Sequence, residues 1–205
     1  MKHEWNKQEK NLYGAKQTPS LITVPIQNYI MISGKGNPND EDFSDRVGAL
    51  YALAYAIKMK YKASAPNTLD EKGVHDFTVY PLEGVWKQKK DVELIKENLE
   101  YTIMIRQPDF VTDSMKHAAL ETVKKKKPNP LYEEIRFDMM QDGECIEFLH
   151  IGAFDDEPAS FEKMEQFAKK NGLKRIKNCH REIYLNNANR VEKCKLKTIL
   201  RFSVQ

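Results

Sequence analysis

Three alternating residues near the end of the chain carry the most chemistry. In the run Cys179-His180-Arg181-Glu182-Ile183-Tyr184-Leu185, strand alternation puts His180, Glu182 and Tyr184 on one face and Ile183 and Leu185 on the other. The apolar pair is expected to face the helices, which leaves Glu182 and its aromatic neighbour on the face away from the core. A carboxylate among aromatic rings attracts a large apolar cation. The rings supply area and cation–π contact, and the carboxylate selects the sign of charge. Burial tends to raise the pKa of such a group, so it could also serve as a general acid or base. The plainer reading of Glu182 is an exposed strand residue paired with a lysine or arginine. Glu147, between Ile146 and Phe148, is a weaker second carboxylate. Tyr80 and Trp86 read equally well as core residues.

Other chemistries lack their residues. The chain has no GxGxxG, Walker, HExxH, GxSxG or CxxC pattern. Gly34-Lys35-Gly36 is too short to cradle a phosphate and reads as a turn. The histidines show no metal-ligand spacing, so neither metal nor cofactor is expected. Three cysteines, an odd number, read as reduced thiols in a cytoplasm. Of the 205 residues, 40% are apolar and 31% charged, with a net charge of +3, which describes a globular chain without the basic stripe of a nucleic-acid binder. The basic run Lys124 to Lys127 sits where a helix ends and complements its dipole. No apolar run is long enough to span a membrane, and the polar start, Met1 to Gln17, does not resemble a secretory signal.

The elements that must position these residues recur. Ile30-Met31-Ile32-Ser33-Gly34 is followed by a Pro/Asp loop and Phe43. Phe148-Leu149-His150-Ile151-Gly152 is followed by another such loop and Phe161. Each glycine precedes its phenylalanine by nine residues. Two strand-like runs follow each predicted helix, so the pattern implies two β-α-β-β units.

Residues 1–20 read as a loosely attached leader that Trp5 and Tyr13 could tuck onto the body. Leu21 to Ile32 is predicted as one strand, with Pro25 at an edge or bulge. A helix opens at Asp42, with Phe43, Val47, Leu50, Tyr51, Ala54 and Ile57 on its buried face, and ends before Pro66. Phe77 to Tyr80, interrupted by Pro81 to Gly84 before Val85 and Trp86, is expected to pair with Tyr101 to Arg106 across a charged connection, Lys87 to Glu97. Thr112 to Lys127 is the connecting helix, stopped by Pro128 and Pro130. Tyr132 to Met139 and Glu144 to Ile151 read as a hairpin about Asp142-Gly143. The last helix carries Pro158 in its first turn and ends at Asn171-Gly172. His180 to Leu185 and Thr198 to Val204 are the final strands. The expected fold is α+β, two tandem repeats about a pseudo-twofold axis with a pocket at their junction.

The stretch Phe77 to Trp86, the run Tyr101-Thr102-Ile103-Met104-Ile105-Arg106-Gln107-Pro108, and the motifs Leu149-His150-Ile151-Gly152 and His180-Arg181-Glu182-Ile183-Tyr184-Leu185 together resemble the GyrI-like small-molecule-binding family. The likeness runs from Leu21 to Val204, closest to stand-alone bacterial members without a DNA-binding domain. It implies one binding domain over 21–205, with repeat one at about 21–108, a connecting helix at about 109–130 and repeat two at about 131–205. Related effector domains of BmrR-type multidrug regulators place an acidic residue against lipophilic cations. That likeness points to Glu182, with Trp86, Tyr80, Tyr101 and Tyr184 as walls and Glu147 as a second acid. Some stand-alone members are hydrolases that open the cyclopropane of DNA-alkylating compounds, for which Glu182 would be catalytic. The family name also admits a protein-binding topoisomerase inhibitor. The expected partners are hydrophobic or cationic small molecules, with no nucleic acid and no membrane.

Overall fold

The computed structural model describes residues 1–64, 73–87 and 96–205. In chain order its main elements are β1 (Lys2–His3), α1 (Trp5–Gln8), α2 (Lys10–Tyr13), β2 (Ser20–Val24), β3 (Gln27–Lys35), α3 (Glu41–Ser64), β4 (Asp76–Phe77), β5 (Leu82–Lys87), β6 (Glu100–Gln107), α4 (Asp113–Lys126), β7 (Arg136–Met140), β8 (Gly143–Ile151), α5 (Glu157–Lys170), β9 (Cys179–Tyr184) and β10 (Lys197–Ser203). Pro66 and most of the charged connection between β5 and β6 lie outside the described residues.

Eight strands form one antiparallel sheet in the order β2-β8-β10-β9-β5-β6-β3-β7. The two repeats are visible in that order. Unit one contributes β3-α3-β5-β6 and unit two β8-α5-β9-β10. Their strands run β3-β6-β5 and then β9-β10-β8, mirror-ordered about a β5–β9 seam. The fold is α+β, with pseudo-twofold repeats as the sequence implies.

Two expected pairings differ. The strand predicted over Leu21 to Ile32 is broken at Pro25-Ile26 into β2 and β3, because proline cannot donate to a ladder. Strands β7 and β8 do not form the expected hairpin. β7 pairs with β3 and β8 with β2. Ser20 faces Glu147, Val24 faces Gly143, Gln27 faces Met140 and Met31 faces Arg136. The same register therefore continues through the break: each unit's leading strand crosses to the other unit, and the sheet curls.

Helices α3 and α5 cover one face. Leu50, Leu53, Ala54, Ile57 and Tyr61 recur at helical spacing along α3 and are buried. They join Ile30, Ile32, Ile103 and Ile105 of the sheet in one apolar cluster. Met164 and Ala168 of α5 meet Ile146, Phe148, Leu200 and Phe202. α4 packs against α3, and its last turn carries Lys124, Lys125 and Lys126, as the dipole argument requires.

The leader is not loose. β1 pairs in parallel with β4, so Asp76-Phe77 does not join the main sheet as expected, and β5 starts at Leu82. Leu12 and Tyr13 are buried. Arg201 donates to the Leu12 carbonyl, and Arg106 pairs with Glu9.

Candidate functional site

The β5–β9 seam positions the candidate residues. Gly84 faces Glu182 and Trp86 faces His180 across it. Phe43, at the start of α3, stacks on Trp86 with centroids 6.0 Å apart and meets Tyr101 edge-on at 5.1 Å. Phe161, on α5, meets His180 edge-on at 4.7 Å. Glu182 therefore lies on the face that carries the helices, not on the opposite one. The alternation was right, but its direction is reversed. Arg181 and Ile183 take the inner face, where Arg181 bonds Glu83 and Ile183 is fully buried.

Glu182 is 8% exposed. The Tyr184 hydroxyl donates to its Oε2 at 2.8 Å, and His180 Nε2 lies 2.8 Å from its Oε1. Trp86 Nε1 in turn donates to the Tyr184 oxygen at 2.9 Å. Trp86 also packs on Tyr101 at 5.3 Å. Phe154, half exposed, meets Tyr184 edge-on at 5.8 Å. Trp86, Tyr101 and Tyr184 thus stand with Glu182.

Gly84 makes room for this arrangement. A Cβ there would lie 2.7 Å from Trp86 Nε1 and 3.1 Å from the Tyr184 hydroxyl. Gly34 does the same for Tyr101, whose hydroxyl would lie 2.4 Å from its Cβ. Both glycines are close-approach positions rather than turns.

Tyr80 and Glu147 stand elsewhere. Tyr80 is buried under the leader, donating to Glu9 and packing on Trp5 and Tyr13. Glu147 lies on the inner face, 3.0 Å from Arg201. Burial pushes its carboxyl up, and Arg201 pulls it back.

The sequence reading missed Glu157. It opens α5 and is 6% exposed. Its carboxyl lies within 4.8 Å of that of Glu182, and burial, then the Glu182 charge, push it well above the usual carboxylate range. Pattern alone gave no signal, because an acid in a first helical turn is the usual dipole complement. Tyr184 is raised in the same way, by burial first and by Glu182 second.

Ligand atoms of Glu157, His180 and Glu182 lie within 4.8 Å of one another, one such grouping among the described residues. His180 and Glu182 already hydrogen-bond each other, and we read the grouping as an acid pair with a histidine donor rather than a metal centre.

The charge balance distinguishes this site. On the inner face Arg181 neutralises Glu83 and Asp142, and Arg201 neutralises Glu147. Among the described residues no lysine or arginine pairs with Glu157 or Glu182, whose charged neighbour is at most His180. A surface depression of about 380 Å³ lies at the far end of α5, lined by Glu165, Lys169, Leu173 and Arg175, and contains none of these residues.

The chain is 35% identical to a hydrolase encoded by lin2189 from Listeria innocua, over the whole of both chains, with a TM-score of 0.88. A second hydrolase from Listeria innocua is 34% identical over 99% of this chain and all of its own, with a TM-score of 0.84. The EcmrR C-terminal domain shares the fold, at 15% identity over 92% of this chain and 97% of its own, with a TM-score of 0.55. No curated protein matches. No helix among the described residues is long and apolar enough to cross a membrane. Residues 17–203 match the GyrI-like small molecule binding domain, and the chain belongs to that family.

Proposed function

We propose that the chain binds bulky hydrophobic small molecules carrying a positive charge, at the site built on Glu182, and that residues 21–205 form the binding domain. The observation that carries this reading is a buried carboxylate bonded to Tyr184, which joins it to a run of rings (Trp86 bonded to Tyr184, Tyr101 and Phe43 packed on Trp86, Phe154 on Tyr184), with no guanidinium or ammonium partner among the described residues. A buried charge is costly unless paired, and an apolar cation would supply both the charge and the ring contacts. Tryptophan fluorescence during titration with tetraphenylphosphonium, on wild type and Glu182→Gln, tests it. Saturable binding that weakens about tenfold in the variant, about 1.4 kcal/mol, supports the reading. No binding, checked by calorimetry, ends it.

A second reading is a hydrolase acting on strained cyclopropanes, favoured by whole-length similarity to a hydrolase from Listeria innocua. Water would add its oxygen to the ring carbon. The ring C–C bond would break toward a conjugated carbonyl, whose oxygen takes the proton. Glu182 would orient or deprotonate the water, and the Tyr184 hydroxyl would meet the developing charge. Mass spectrometry of a cyclopropane-bearing alkylator incubated with the protein would show addition of one water. An unchanged substrate removes this reading and leaves binding untouched.

A further inference from the structure

The acids at the seam are two, and their surroundings assign a proton between them. Glu182 faces two donors, the Tyr184 hydroxyl and the His180 Nε2–H, because a ring nitrogen that faces a carboxylate carries the hydrogen, while the buried His180 Nδ1 has no acceptor for a second one among the described residues. The third group against it is another carboxyl, Glu157, which cannot donate unless protonated. Glu157 Oε1 is buried and has no donor among the described residues. Among the described residues, the other groups facing the pair bring no compensating positive charge. Trp86 on β5 is neutral. Asp155, in the turn before α5, adds further negative potential, and its partner Lys96 sits 3.2 Å from it in an exposed pair. Two adjacent buried carboxylates without a cation hold one proton between them.

We propose that Glu157 is a neutral carboxylic acid whose proton bridges to Glu182, so that the site presents one negative charge and is specific for singly charged cations. The role rests on the cation-binding reading, but the protonation does not. Glu157 sets the charge count of the site, and Glu182 carries the charge. A neutral amide at position 157 can donate the same bridge, so Glu157→Gln preserves the site's charge, whereas Glu182→Gln removes it.

Infrared difference spectroscopy of the wild-type protein at neutral pH, in water and deuterium oxide, reads the protonation directly. The expected result is a carboxylic-acid C=O band that is lost in Glu157→Gln. Its absence from wild type overturns the proposal without touching the cation-binding reading, and needs no variant to fold. Titration with tetraphenylphosphonium then reads the role. Glu182→Gln should lose about tenfold more affinity than Glu157→Gln. Equal loss in both variants would mean that Glu157 supplies a charge of its own, which overturns the proposal. So would propidium, a dication, binding about tenfold or more tightly than ethidium, which carries the same ring system and one charge. Tight binding of zinc ion alone, abolished in Glu157→Gln, would also overturn it in favour of a metal. If wild type binds no organic cation at all, the cation-binding reading fails, and the infrared band still decides the proton.

Discussion

Trp86 and His180 face each other across the β5–β9 seam, and each is packed by a phenylalanine near the start of its own unit's helix: Phe43 against Trp86, Phe161 against His180. The sequence repeat thus has a chemical consequence. It delivers equivalent aromatic walls from both halves to the place where the acids meet.

Gly84→Ala should disturb the site from beneath. Its Cβ would sit 2.7 Å from Trp86 Nε1, so the indole must swing away from Tyr184. We expect a shifted tryptophan emission and a stability loss of about 1–3 kcal/mol, read by urea unfolding. An unchanged spectrum would show that the indole is held by something other than this contact.

Tyr184→Phe removes the hydroxyl that accepts from Trp86 and donates to Glu182. The indole N–H is then left buried without a partner, at a cost of about 1–3 kcal/mol. The same unfolding assay checks it. A loss below about 0.5 kcal/mol would mean that the indole finds another acceptor.

Glu157 predicts a pH slope. Its folded value lies above its ordinary 4.5, so above that pH the native state holds a proton that the unfolded state has released. Stability from this group is present in full at acid pH and declines as pH rises through neutrality. Glu157→Gln should therefore gain on wild type between about pH 6 and pH 9 in denaturation series. Parallel curves would refute the assignment.

Glu9→Ala leaves the buried Arg106 guanidinium without its carboxylate partner in the leader. Removing one member of a buried pair costs about 3–5 kcal/mol, so a single change in the leader should lower the midpoint of the whole sheet. A local effect, with the unfolding midpoint unmoved, would mean that the leader is dispensable.

The thiols should separate by reactivity. Cys194 is exposed, whereas Cys145 is buried, with burial pushing its thiol up to about 11. A disulfide reagent should label Cys194 quickly and Cys145 only on unfolding. Rapid labelling of Cys145 in the native protein would contradict its placement.

The repeat, the helices and the seam strands were legible because periodicity and spacing are local properties of a chain. The face of Glu182 was not. Alternation separates two sides without naming them, and here the inner side is also apolar, with Ile183 and Ile199 fully buried on it. Glu157 was hidden because nothing in 157–161 ties it to 182. That contact exists only once β9 and the start of α5 meet. The β7–β8 hairpin failed for a related reason. Asp142-Gly143 is a sound turn signal, but the partner strands lie more than a hundred residues away, and local rules do not reach them.

The exchange of leading strands bears on the origin and divisibility of the molecule. Each half completes its neighbour's sheet rather than its own, which is how two identical chains join by domain swapping. The chain is in that sense a swapped dimer joined by α4 into one polypeptide. A lone unit would carry an arm with no home and a ledge with no arm, and two copies of it would satisfy each other. The β5–β9 seam would lie on the symmetry axis of such a pair, with the Glu157–Glu182 contact beside it inside one unit. The acid pair is then the place where one half departed from its twin, since His180 and Glu182 of one unit stand opposite Trp86 and Gly84 of the other.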